Sequence, residues 1–299
     1  MKTISKHFQQ EGNITLIQLE TLEGEGFGFL TAAPAIDQGD LVIKEVRQEG
    51  SVNTLLAINH TDNYYLLTDM DLLKGAKQNR AVNTSVLIAP LSKQEVDVSC
   101  VERSRWSYDS PTFKPGPEIL DLKMRAAKAE SLRNDLKEKF SSTQSNIWGL
   151  INKKMGENNF ISDTEDYSSM LESKEAEHKT KFRFLPENTC NGLAVFDGDR
   201  LVSYDIFGNR EVYRHYFEKL AGGALQRISD MAGNNTPGEA EAFYRLDEFL
   251  DNFESQLEIP VRQKDGGIGA LRWSGDQAYP GFELGFEGQQ IHMVGFLRN

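Results

Sequence analysis

From Ile14 to about Trp106 the chain runs as short β-type segments, "ITLIQLETL", "GFGFLTA", "LVIKEV", "TLLAINH", "YYLLTD", "SVLIAP" and "VDVSCV", parted by turn residues and with no helical pattern between them. Strands this short cannot stand alone. They must bury their apolar faces against one another, which points to an antiparallel β-sandwich at the N-terminus. Residues 1–112 form this first expected domain.

Beyond it the period changes. Leu122, Ala126, Ala129, Leu132, Leu136 and Phe140 recur at spacings of three and four, and "SSTQSNIWGLI" opens a second helix behind a Ser or Thr N-cap. Residues 156–179 are acidic and weakly periodic, and read as a long, partly ordered connection. Residues 113–180 are thus a central helical segment followed by this connection. In residues 181–299, "GLAVFDGDRLVSYDIF" reads as a hairpin turned at Asp197-Gly198-Asp199. Two helical stretches follow, the second opened by Thr236-Pro237 as N-cap and N1, and then the strands "GALRWS", "GFELGFE" and "IHMVGFL". The fold class expected is α+β, with a C-terminal ββααβββ unit.

At 299 residues the chain is long for a single domain. A net charge of −12 opposes generic binding to nucleic acid or to an anionic membrane, because both need clustered cations. A small anion in a local basic pocket remains compatible. Cys100 and Cys190 stand alone, with no CxxC and no Cys/His spacing suited to zinc, so neither a disulfide framework nor a metal is expected. The N-terminal residues carry no signal-like apolar run and no later stretch approaches a bilayer span, so the expected setting is cytoplasmic. His7, His60, His178, His215 and His292 show no ligand spacing. "DGGIG", residues 265–269, lacks the helix that would make it a dinucleotide loop and reads as a turn.

The polar run Lys77-Gln78-Asn79-Arg80 sits just before the apolar "VLIAP". Placing Val86 opposite Val98 sets Thr84 against Cys100 and Val82 against Glu102, and period two then continues the inward face through Arg80 and Gln78. Beside them come Glu102, Ser104 and Trp106. A guanidinium and an ammonium hold phosphate or carboxylate, a glutamate orients the arginine or accepts a hydroxyl, and tryptophan stacks on a base. The same residues also read as a buried Arg80–Glu102 ion pair pinning the end of the sheet. Cys100 reads as a small core residue or, beside cations, as a nucleophile. His292 alternates with Ile291 and Met293 and faces a cleft shared with Asp205 or Arg272. No GxSxG, P-loop or paired-carboxylate signature assigns a reaction.

The runs "EGSVNTLLAINHTD", "LLTDMDLLKGAKQNR", "VLIAPLSKQEVDVSCVERSRW", "QSNIWGLI", "GLAVFDGDRLVSYDIFG" and "IHMVGF" resemble the ARG-and-rhodanese-phosphatase-superfamily-associated protein family. Its most specific pieces are Gly75 to Arg80, Ser99 to Glu102, and Arg105-Trp106; the family pattern has Gly where this chain has Ser104. The family's name records genomic company with ADP-ribosylglycohydrolases and rhodanese-like phosphatases. The resemblance therefore implies a role near ADP-ribose or other nucleotide-derived metabolites, in stress or phage conflict. No cofactor is expected.

Together these readings set the expectation of a small anionic nucleotide-like ligand bound by Lys77, Gln78, Asn79, Arg80, Arg105 and Trp106. Glu102 would serve as general base if there is turnover, and His292 as a second contribution. The rival expectation is a protein-interaction module or homo-oligomer in which the same residues are structural.

Overall fold

The computed structural model describes residues 3–21, 27–138, 143–178, 184–225, 236–259, 261–262 and 267–298. It is mixed α+β and divides into two compact units. The first comprises Met1–Gly28, Glu177–Val261 and Gly269–Asn299, the second Phe29–Ala176 and Arg262–Ile268. The expected division at 112 and 180 does not follow these units. The strands β1 (Thr3–Glu11) and β2 (Ile14–Thr21) belong with the C-terminal part of the chain.

The reason is the β2 sequence. "ITLIQLET" is buried on both faces, including Thr15 and Gln18, which suits the interior of a sheet rather than its edge. It pairs with β1 on one side and with β12 (Gly192–Asp197) on the other. The eight-stranded sheet continues through β13 (Arg200–Phe207), with β17 (Gln289–Phe296), β16 (Gly281–Phe286), β15 (Ala270–Trp273) and β14 (Val261–Arg262) beyond it. The β12–β13 turn falls at Gly198, whose φ of 62° is left-handed. Helices α5 (Arg210–Leu225) and α6 (Glu239–Ser255) lie between β13 and β14 in sequence. Helix α6 starts after Gly238 rather than at Thr236-Pro237. Its Leu246, Phe249 and Phe253 recur at helical spacing and bury against the sheet, where Tyr204 meets both rings edge-on at 5.3 and 5.4 Å.

In the second unit, six strands run in the order β11 (Phe113–Ile119), β7 (Asp71–Gly75), β8 (Arg80–Val82), β10 (Lys93–Cys100), β5 (Thr54–Asn59), β4 (Leu41–Glu45). A three-stranded sheet holds β3 (Leu30–Thr31), β6 (Tyr65–Leu67) and β9 (Val86–Ile88). Leu41, Ile43, Val82 and Val98 from the larger sheet share one core with Tyr65 and Ile88 from the smaller.

Several sequence expectations change here. "GFGFLTA" gives only the two residues of β3 and then helix α1 (Ala32–Gln38). Pro34 is tolerated in its first turn, and Gly39 closes it at φ 85°. Residues 113–119, expected in the helical segment, form β11, whose Pro115 and Pro117 fit an edge strand that need not donate outward. The acidic connection contains helix α4 (Tyr167–His178), anchored by the buried Tyr167, Met170 and Leu171. Phe140 and residues 265–266 of the expected glycine turn lie outside the described residues. Among the described residues no helix is long and apolar enough to cross a membrane.

Helix α2 (Leu122–Glu138) buries a mixed face, not a purely apolar one. Leu136 of the expected stripe is 45% exposed, while Arg125 and Lys128 are buried. Arg125 donates to both carboxylate oxygens of Asp69, at 2.9 and 3.1 Å. Lys128 donates to the carbonyls of Asp69 and Val82, tying the end of β8 to the helix. Burial pushes the Lys128 ammonium down to about 7. Its folded value is below its unfolded one, so between these two values the unfolded chain binds the extra proton and stability rises with pH. Wild type should therefore gain stability over a Lys128→Met variant as pH rises from about 7 to about 10. Urea unfolding across that range checks this, and a pH-independent difference contradicts it.

Candidate ligand site at the Arg80 end of the sheet

The run Gly75 to Arg80 begins in a strained turn. Gly75 has φ 112° and Ala76 φ 41°, and a Cβ on Gly75 would lie 2.4 Å from the Ser110 Oγ and 3.1 Å from the Thr112 carbonyl. Only glycine fits there. The turn is held from one side by Arg105, whose guanidinium donates to the carbonyl of Ala76 at 2.7 Å and to the Asn79 Oδ1 at 3.2 Å. The same guanidinium closes a fork on Glu102, with Nε at 2.9 Å from Oε1 and Nη2 at 2.7 Å from Oε2. Asn79 completes the knot: its side-chain oxygen accepts from Gly75 N at 2.9 Å and its own N–H donates to Glu102 at 3.1 Å.

This arrangement corrects two expectations. The register differs, since Val98 pairs with Val82, Ser99 with Ala81 and Cys100 with Arg80. Val86 to Ile88 leave that ladder to pair with β6, and the departure is fixed at Asn83, which donates to the Asp97 carbonyl at 3.0 Å and accepts from the Ser99 hydroxyl at 2.7 Å. The displacement spans an even number of residues, so Arg80 keeps the inward face it was assigned. The ion pair also differs. Glu102 pairs with Arg105, and the carboxylate facing Arg80 is Glu45, with Arg80 Nη2 at 3.8 Å from Oε1.

Arg80 is completely buried. One amine donates to Gln78 Oε1 at 2.8 Å, the other reaches the Ser51 carbonyl at 3.4 Å, and Nε donates to nothing. The Glu45 Oε1 accepts nothing, while Oε2 accepts from Ser51 N at 3.4 Å. Burial pulls the Arg80 guanidinium below its ordinary range, against the attraction of Cys100 and Glu45. Apart from the Gln78 bond, this is a charged pair taken out of water without the close contact between its two charges that normally offsets the loss.

Around it lie Lys77 and Trp106. The Lys77 ammonium donates to the Glu49 carbonyl at 2.8 Å and sits over the rings of Trp106 and Tyr108, at 5.5 and 5.1 Å. The Arg80 guanidinium lies 5.6 Å from the centre of the Trp106 ring. Trp106 and Tyr108 are nearly half exposed, at 45% and 47%. Gln78 links the two halves by donating to the Arg103 carbonyl at 3.1 Å.

Sequence reasoning missed Glu45, Ser51 and Tyr108. Glu45 had a signal, since Leu41, Ile43 and Glu45 alternate on the buried face of β4. Cys100 is buried opposite Arg80, and burial pushes its thiol up despite the nearby cation, which suits a packing residue rather than a nucleophile. His292 lies in the other unit, completely buried, with Nε2 3.3 Å from Asp205 and its ring stacked on Phe207 at 4.5 Å. Arg272, its other expected neighbour, pairs instead with Glu283 at 3.4 Å.

The second unit thus presents a sheet end that carries a buried arginine, a half-exposed aromatic pair and a lysine beside them. The chain belongs to the family of the ARG and Rhodanese-Phosphatase-superfamily-associated Protein domain, which it matches over residues 3–296. No curated protein and no solved structure matches it.

Removing the carboxylate of Glu102 leaves the Asn79 N–H without its acceptor and Arg105 without its anionic partner, with only carbonyl and amide oxygens remaining to it. Glu102→Ala should cost about 3–5 kcal/mol in urea unfolding, the usual result of breaking a buried pair. A loss under about 1 kcal/mol would mean that Glu102 does not brace Arg105 in the turn.

Proposed function

We propose that this chain binds a small anionic, nucleotide-derived ligand, such as ADP-ribose or an NAD derivative, at the Arg80 end of the sheet. The observation that carries the reading is the completely buried guanidinium whose Nε has no acceptor, set beside a buried carboxylate oxygen with no donor. Buried polar groups are normally satisfied, and an arrangement left open in this way is what a ligand completes.

The roles expected from the sequence are redistributed. Arg80 and Glu45 contact the ligand's polar group, Lys77 neutralises a phosphate oxygen, and Trp106 with Tyr108 stacks on a base or a pyridine ring. Gln78 orients Arg80. Asn79, Glu102 and Arg105 hold the turn that presents these groups. Both Glu102 oxygens are already occupied by cationic or amide donors, so Glu102 is not free to act as a general base, and the reading is of a binder with no reaction assigned. A cytoplasmic setting suits the two cysteines, which are free and buried. A place near ADP-ribose metabolism, in stress or phage conflict, suits the family.

A second reading has its own support. The Arg105–Glu102–Asn79 knot is what a purely structural motif looks like, and a protein-interaction module would need nothing more from these residues.

The purified protein is incubated with NAD, ADP-ribose, cyclic ADP-ribose and related nucleotides, and free and total species are quantified by mass spectrometry before and after denaturation. Recovery of an intact compound only after denaturation is the expected result. Arg80→Ala should then weaken binding by roughly ten- to a hundredfold, the value of a charged hydrogen bond. If every compound stays free and intact, the interaction module takes its place.

A further inference from the structure

Loop 46–53, between β4 and β5, closes over the Arg80–Glu45 pair. Its outer edge is held by Lys77 on the Glu49 carbonyl at 2.8 Å and by the Tyr108 hydroxyl on the Gln48 carbonyl at 3.2 Å. Gly50, at φ 85°, lets the backbone pass where a Cβ would lie 3.1 Å from both Lys77 Cδ and Trp106 Cζ2. The inner contacts are different in kind. Ser51 places its carbonyl on Arg80 and its N–H on Glu45, both at 3.4 Å, and the Val52 carbonyl takes the Cys100 thiol at 3.5 Å. The two Ser51 contacts sit at the outer limit of N–H···O hydrogen bonding, whereas the thiol contact is ordinary for sulfur and the Asn53 carbonyl accepts from Val98 N at 2.9 Å, so the loop is fastened at its rim and its end and is loosely seated over the charges at Ser51.

Ser51 therefore offers the pair one acceptor and one donor, the acceptor to the guanidinium and the donor to the carboxylate. The Arg80 Nε and Glu45 Oε1 beside these contacts are still open for the same two partners. The pair is neutral as a whole. An anionic group would gain at Arg80 what it lost at Glu45, whereas a neutral group with a carbonyl and an N–H gains at both.

We propose that Ser51 is a stand-in for ligand, and that the group replacing it on Arg80 and Glu45 is a primary carboxamide, its oxygen accepting from Arg80 and its amide nitrogen donating to Glu45. This rests on the nucleotide-binding reading above and narrows it to a carboxamide-bearing nucleotide. The pyridine ring carrying the amide stacks on Trp106, and its phosphates lie toward Lys77. The corresponding carboxylic acid is rejected, because its charge meets that of Glu45.

Three compounds that share one ADP-ribose portion separate the outcomes: NAD, with the amide; its nicotinic acid analogue, with a carboxylate; and ADP-ribose, with neither. Titration calorimetry on the full chain should show NAD binding at least tenfold more tightly than both others. In Glu45→Gln the margin over the acid should fall below about threefold, because the repulsion is gone. Equal affinity for all three, or preference for the acid, overturns the carboxamide assignment and leaves nucleotide binding standing. Binding of none overturns both.

Discussion

The grip of Arg105 on the left-handed turn at Gly75-Ala76 is the interaction on which the polar end of the sheet depends. A turn with two successive positive φ values is costly for the second residue, which is not a glycine, and it exposes carbonyls that must be satisfied. Arg105 supplies the donors and Glu102 fixes Arg105, so the strain is held by a charge-assisted knot rather than by packing. Because the turn leads directly into β8, it sets where Arg80 enters the core.

Arg80 has the opposite character. It is the deeper of the two guanidiniums, yet it has the poorer partners: one amide oxygen at 2.8 Å, a carboxylate at 3.8 Å, a backbone carbonyl at 3.4 Å and an open Nε. A side chain selected for stability alone would not be expected at such a seat, since hydrophobic groups of similar volume serve as well or better. The contrast is between Arg105, every nitrogen of which donates, and Arg80, whose Nε does not; on the proposed reading it divides scaffold from binding groups. It also explains why loop 46–53 can cover the pair without saturating it.

Much of this was legible in the chain. The β-rich N-terminal part, the two central helices, the hairpin at Gly198 and the polar run at Lys77 to Arg80 all carry local signals, of period, capping and turn chemistry. What stayed hidden was set by distant partners. That β1 and β2 would join β12 follows from β2 lying inside a sheet and buried on both faces, which Thr15 and Gln18, one polar residue on each face, disguise. The register of β8 on β10 was displaced because Asn83 to Ser85 carry the chain out of one sheet and into another, and period two has no term for that. Arg105 lies three residues after Glu102, outside any strand, so alternation could not pair them. The exchange of Glu102 for Glu45 as the partner of Arg80 follows. Helix α2 hid its buried cations because Arg125 and Lys128 read as a solvated face until Asp69 is brought beneath them.

The central claim is that the Arg80–Glu45 pair is kept at a cost to stability, for a ligand. Its most direct test is the unfolding free energy of the Arg80→Met, Glu45→Gln double variant, which removes both charges at similar volume. The account predicts stability equal to or above that of the wild type. A loss of more than about 3 kcal/mol, as large as that from removing only one partner of a buried pair, would contradict it.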